Sequence, residues 1–177
     1  MYFSNGFVYA APGSSPFGGS ASDHRLVMFV ANDTGDSDNH NEGGQLPGEF
    51  GAGIRRSSSA FWFNAHSALI GCDGLDTSAD CTVQITGLVY NNETKAEVAA
   101  FEQTVMLPPC SPHTGNLAMI NCQLTEVRFA QSMQGLSGLR IQAFSKAGTA
   151  RSWFMGDLTL GWSNNTCAAG LLRGRSQ

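Results

Sequence analysis

The sequence predicts an all-β protein, an antiparallel β-sandwich of about eight strands stapled by disulfides. Three observations predict it. Apolar and polar residues alternate with a period of two along most of the chain, the signature of half-buried strands. Gly, at 21 copies, together with abundant Ser, Thr and Asn, breaks these runs at short intervals, as turns do. Four of the five cysteines form two close couples, Cys72 with Cys81 and Cys110 with Cys122, each bracketing a turn-like stretch between β-patterned runs.

In chain order the expected strands are Tyr2–Ala10, Arg25–Ala31, Ala60–Gly71, Cys81–Asn91, Lys95–Leu107, Gln123–Ala130, Gly138–Ser145 and Ser152–Trp162. In the fourth, Val83, Ile85 and Val89 share one face and Thr82, Gln84 and Thr86 the other. In the sixth, Thr125, Val127 and Phe129 oppose Glu126 and Arg128. Over Lys95–Leu107 the residues Val98, Phe101 and Val105 also fit a helical stripe. The turn-forming Asn91–Asn92 before this run and Pro108–Pro109 after it decide for a strand. Two stretches lack periodicity, Ala11–His24 and Asn32–Arg56, and both read as loops. The second is long enough to be a binding loop and is expected to border the ligand site. Residues 168–177 read as a short C-terminal tail.

A chain of 177 residues fits a single domain, residues 1–177, with enough length to bury a core. Only 14% of residues are charged and the net charge is −4, so no basic field exists for a phosphate backbone and nucleic acid is not an expected partner. No apolar run approaches the ~20 residues of a membrane helix, so no membrane is expected either. Disulfides persist in oxidising compartments, which predicts a secreted protein. The first residues, Met1–Gly6, lack the charged and apolar regions of a signal peptide, which would then have been removed. Asn32, Asn92 and Asn164 each open a glycosylation sequon. Within each cysteine couple the separation is short enough to close, so Cys72 is expected to pair with Cys81 and Cys110 with Cys122, leaving Cys167 free.

The chemistry-bearing residues are few. Asp33, Asp36, Asp38 and Glu42 offer hard oxygen ligands of the type Ca²⁺ takes, at irregular spacing and with Asn41 where an EF-hand loop has Gly. A structural calcium is the one cofactor they suggest, against the plainer reading of a solvated acidic loop. His24, His40, His66 and His113 are dispersed, with no spacing that sets two imidazoles on one transition metal. Neither a GxSxG elbow nor a pair of carboxylates on neighbouring strands appears. Trp62, Trp153 and Tyr90 carry flat faces able to stack on a sugar or another flat apolar ligand, although aromatics more often fill cores. His66, two residues from Asn64 on the same strand face, can join a polar cluster in a pocket. Asp157 is the one carboxylate inside the last apolar strand, either a turn anchor or the polar centre of a site, with the anchor preferred.

Taken together, Ser59–Ala65, Gly71–Cys72 with Cys81, Ile85–Tyr90, Leu107–Cys110 and Trp153–Leu158 resemble uncharacterised secreted fungal β-sandwich proteins. These are similar in turn to galactose-binding-type jelly rolls, the architecture of many carbohydrate-binding modules. The resemblance spans about residues 55–170 and implies a jelly-roll-like sandwich more than a particular ligand. The last strand of that pattern carries an aromatic, an acid and then an amide or second acid before an aliphatic residue. Here Asp157 matches the acid, but Leu158 follows directly. The leading expectation is a secreted, non-catalytic binder of a glycan or another flat ligand at an aromatic, loop-rimmed face, with Trp62, Asn64, His66, Tyr90 and Trp153 as contacts. A second reading is a cofactor-free cyclase or isomerase of fungal secondary metabolism. Its small apolar substrate would lie in a pocket between the sheets with His66 and Asp157 as polar groups. A third is a secreted effector that binds a host protein. Oligomeric state is not legible.

Overall fold

The computed structural model describes residues 1–10, 26–31, 45–72, 80–108 and 124–175. Within them lie eleven strands: β1 (Tyr2–Phe3), β2 (Phe7–Ala10), β3 (Leu26–Phe29), β4 (Glu49–Gly51), β5 (Phe63–Cys72), β6 (Cys81–Asn91), β7 (Ala96–Leu107), β8 (Thr125–Arg128), β9 (Gly138–Phe144), β10 (Ala150–Arg151) and β11 (Trp153–Trp162). They form two antiparallel sheets. The first is ordered β1-β4-β9-β6-β7, with β10 also paired to β9, and the second β2-β3-β11-β5-β8. The expected all-β antiparallel sandwich is therefore what the chain adopts.

Alternation sets which side chains meet between the sheets. From the first sheet Phe50, Val83, Ile85, Leu139 and Ile141 point inward, and from the second Phe63, Ile70, Val127 and Trp153 meet them. Trp153 is fully buried, stacked on Phe29 at 5.7 Å and edge-on to Phe7 at 5.5 Å between ring centroids. Such aromatic clusters combine large buried area with a geometric preference. The disulfide Cys72–Cys81 joins the end of β5 to the start of β6 across a Cα–Cα distance of 6.3 Å, so it staples one sheet to the other. Cys110 and Cys122 lie outside the described residues, and Cys167 is a free, exposed thiol.

The expected strand over Lys95–Leu107 forms as β7 and pairs along its length with β6. Their connection is fixed by Asn91, whose Oδ1 accepts from the backbone N–H groups of Glu93 at 2.8 Å and Thr94 at 3.1 Å, and by Lys95 at φ 56°.

Four expectations need revision. The first strand is split in two by Gly6, at φ 92°, so β1 joins one sheet and β2 the other. Residues 60–62 form the end of a 3₁₀ turn (Ser59–Phe61) and its cap, and β5 starts only at Phe63. The stretch expected as a loop over Asn32–Arg56 contains β4, whose Phe50 is wholly buried, followed by a 3₁₀ turn at Gly53–Arg55; residues 32–44 lie outside the described ones. The C-terminal tail contains a helix, α1 (Cys167–Gly174), capped by Thr166 Oγ1 accepting from the Ala169 N–H at 3.3 Å. Arg173 docks this helix by donating to the carbonyl oxygens of Ala60 at 2.6 Å and Asn164 at 2.9 Å.

Candidate functional site

On the first sheet, the residues that alternate with the core point outward. Thr82 of β6 stands between Met106 of β7 and Phe144 of β9, its register partners on either side, and Gln84 lies one step further along β6. Asp80, just before β6, closes one end. Ser145, Lys146 and Gly148 come from the turn that leads from β9 to β10. Together these residues line an open trough of about 780 Å³. Its floor mixes apolar and hydrogen-bonding groups: Met106 is 66% exposed and Phe144 half-buried, beside the hydroxyl of Thr82, the amide of Gln84 and two side chains of opposite charge. The disulfide anchors this end of β6, because Cys81 directly follows Asp80.

Two smaller depressions flank the sandwich. One of about 280 Å³ opens at its rim, where Phe29 of the second sheet faces Ala143 of the first, with Asn5, Pro47 and Gln142 around it. Another, of about 30 Å³, lies beside Tyr2, Phe61 and Trp162, where Arg55 sits 5.0 Å over the Phe61 ring and Arg173 4.6 Å over Trp162.

At the far end of the trough-bearing face, two carboxylic acids meet. Glu49 of β4 and Glu97 of β7 reach into one space and act on each other there, although β9 and β6 separate their strands. The space they share exists because Gly138 of β9 has no side chain: a Cβ there would lie 3.0 Å from Glu97 Oε1 and 3.5 Å from Glu49 Oε1. Ser137, fully buried, donates its hydroxyl to Glu97 Oε1 at 2.6 Å, and the Leu46 N–H donates to Glu49 Oε2 at 3.1 Å. Arg56 approaches Glu97 Oε2 at 3.9 Å, and Arg140 attracts Glu49 from β9. The buried Nε of Arg140 has no hydrogen-bond partner among the described residues.

Burial is the largest cause that pushes the Glu49 carboxyl up from its ordinary 4.5 to about 7. The Leu46 N–H and Arg140 oppose the shift, while the neighbouring Glu97 adds to it. Two carboxyls are thus brought together, though from strands that are not neighbours, which the expectation did not cover. The signal was a lone acid between Gly48 and Gly51 in a stretch read as loop, and nothing in the periodicity connects it to β7.

The residues expected to contact ligand are not brought together. Trp153 belongs to the core and faces no solvent. Trp62 is half-buried, its indole N–H donated to the Arg56 carbonyl at 2.7 Å. Asn64 and His66 do share the outer face of β5, in the second sheet; the Asn64 amide oxygen accepts from the Gly135 N–H at 3.0 Å, and His66 is exposed. Tyr90 is half-buried on β6, in the other sheet. Asp157 is exposed at φ 45°, in a bulge of β11 where the register with β5 shifts, which agrees with a local backbone role. That bulge turns Leu158 toward the core, whereas strict alternation groups it with Phe154.

Of the sequon asparagines, Asn92 stands exposed in the β6–β7 turn. Asn164 is half-buried, its side chain bonded to Thr166 and Ser59, and Asn32 lies outside the described residues. So do Asp33, Asp36, Asp38 and Glu42. Among the described residues no group of three or more His, Cys, Asp or Glu is placed to hold a metal ion, and no helix is long and apolar enough to cross a membrane. The chain belongs to the family described as Domain of unknown function (DUF7371), which matches residues 1–173. No curated protein and no solved structure matches it.

Proposed function

We propose that the protein is a secreted, non-catalytic binding module that holds a glycan in the trough on the outer face of the first sheet. The observation that carries this reading is the trough's lining. A sugar ring presents an apolar C–H face and a rim of hydroxyls, and Phe144 and Met106 offer apolar contact beside the hydrogen-bonding groups of Asp80, Thr82, Gln84 and Lys146. The trough lies open, as a site for a polymer or chain end should. A sheet face also holds these side chains more rigidly than a loop would. The disulfide between the sheets supports an oxidising, extracellular setting.

A cofactor-free cyclase would need an enclosed apolar chamber with convergent polar groups. The space between the sheets is instead filled by Phe50, Phe63, Ile85 and Trp153. His66 and Asp157, its suggested polar groups, are both exposed on the second sheet. A glycan array followed by calorimetry on any hit tests the proposal. Phe144→Ala is expected to weaken binding by about 1–3 kcal/mol while costing little melting temperature, since the ring is partly exposed in the free protein. A silent array, or binding that Phe144→Ala and Gln84→Ala both leave intact, overturns it.

A further inference from the structure

We infer that Glu49 and Glu97 form a proton-operated clasp that fastens β4 and the segment leading into it to the first sheet in acidic surroundings and loosens as the medium turns neutral. The inference rests on what each group touches. Glu49 is 4% exposed, and it is the outward-pointing residue of a three-residue strand that Phe50 anchors to the core. Its Oε2 is occupied by the Leu46 N–H, one turn back, so its remaining oxygen faces the Glu97 carboxyl over Gly138. Glu97 in turn accepts from Ser137 at 2.6 Å, nearer than that hydroxyl's other acceptor, the Leu88 carbonyl at 3.3 Å.

Two carboxylates cannot both stay ionised and hydrogen-bonded, because neither brings a proton to the contact. One proton between them supplies that donor, and Glu49, the more buried partner, holds it. Two cations stand near the pair, and the Glu49 carboxyl is still pushed up in the presence of Arg140. Arg56 stands 3.9 Å from Glu97 Oε2 and is partly exposed, and Arg140 leaves its buried Nε without a partner among the described residues. Glu49 is thus faced by Arg140 from β9, by Glu97 from β7 and by the Leu46 amide from its own segment, while Arg56 bears on Glu97.

The sign follows directly. The folded state holds the Glu49 proton to about 7 and the unfolded state releases it near 4.5, so between these values the folded state binds more protons. Stability contributed by the clasp is complete below about pH 4.5, declines as pH rises toward 7, and is gone above that. Loss of the proton leaves two like charges sharing the space over Gly138, and β4, held to β9 over only three residues and led in by residues 45–48, is the element that can yield.

Equilibrium denaturation of the wild type and of Glu49→Gln across pH 4.5–8 tests the clasp. The glutamine amide is neutral at every pH and still donates to Glu97. The two proteins are expected to be of similar stability at pH 4.5. At pH 8 Glu49→Gln is expected to exceed the wild type by at least about tenfold in the folded-to-unfolded ratio. A wild-type-to-variant difference that stays constant with pH overturns the inference. Should Glu49→Gln fail to fold, Glu97→Gln is measured in the same way, and the Glu49 carboxyl is titrated by NMR in the wild type. A midpoint near 7 supports the clasp and an ordinary carboxylate value overturns it. Hydrogen exchange of the Leu46 amide, corrected for its intrinsic rate, is expected to lose protection above pH 7, and unchanged protection contradicts the loosening.

Discussion

Gly138 shows how a single missing methyl can organise a site. It lies on β9 between β4 and β6, and the space above its Cα admits the two acids and the Leu88 methyl that closes over them. In Gly138→Ala the new Cβ would sit 3.0 Å from Glu97 Oε1 and 3.3 Å from Leu88 Cδ1, closer than ordinary contacts allow. Since both neighbours are themselves packed, the variant is expected to lose about 1–3 kcal/mol by overpacking, measured by denaturant unfolding at pH 5. It should also blunt the pH dependence, because the acids are pushed apart. A fully stable Gly138→Ala with the wild-type pH profile would show that the carboxyls meet elsewhere. At the exposed Asp157 the positive φ accompanies a bulge that re-aims β11 so that both Met155 and Leu158 reach the core.

Among the elements, the disulfide has the clearest consequence. Cys72 and Cys81 are both buried, and they join strands of opposite sheets rather than neighbours in one sheet. Removing the bond with the double variant Cys72→Ala and Cys81→Ala is expected to cost about 3 kcal/mol from the freed loop of the unfolded chain, and more if the vacated space stays open. Because Asp80 borders the trough beside Cys81, ligand affinity should fall along with stability. Calorimetry and unfolding of the double variant check both, and unchanged affinity would show that the staple does not hold the trough. The same strands explain what was legible beforehand. β5 through β9 are long or strictly alternating, and each side chain has only two faces to choose from, so Val83, Ile85 and Val127 could be placed in the core from spacing alone. β4 has three residues, preceded by Gly48 and ending in Gly51, too few for a period, and its place is set by pairing with β1 and β9. Helix α1 did leave a signal, Thr166 followed by Ala168, Ala169, Leu171 and Leu172, but eight residues after the last strand read as tail. Of the carboxyl pair only the lone acid Glu49 after Gly48 showed, and nothing tied it to Glu97, since their meeting depends on how four strands are ordered.

At the level of the whole molecule, the fold separates the core from the trough on the outer face of the first sheet, and the environments of Trp153 and Phe144 let that separation be measured. Trp153 lies between the sheets against Phe7 and Phe29, with its indole N–H unpaired among the described residues, whereas Phe144 lies on the opposite surface of the first sheet. Trp153→Ala should remove about 3–5 kcal/mol of folding free energy, because the cluster cannot collapse onto the space that a fully buried indole leaves. Trp153→Phe should cost less, as it keeps most of the contacts and removes an unsatisfied donor. Neither change touches the trough, so a glycan that binds the wild type should bind the folded fraction of both variants with unchanged Kd, and should raise their melting temperatures by the same linkage as in the wild type. Phe144→Ala should do the reverse, losing affinity at nearly constant stability. If instead Trp153→Ala abolished binding in protein shown by circular dichroism to be folded, the ligand would have to reach between the sheets. The trough would then not be the site.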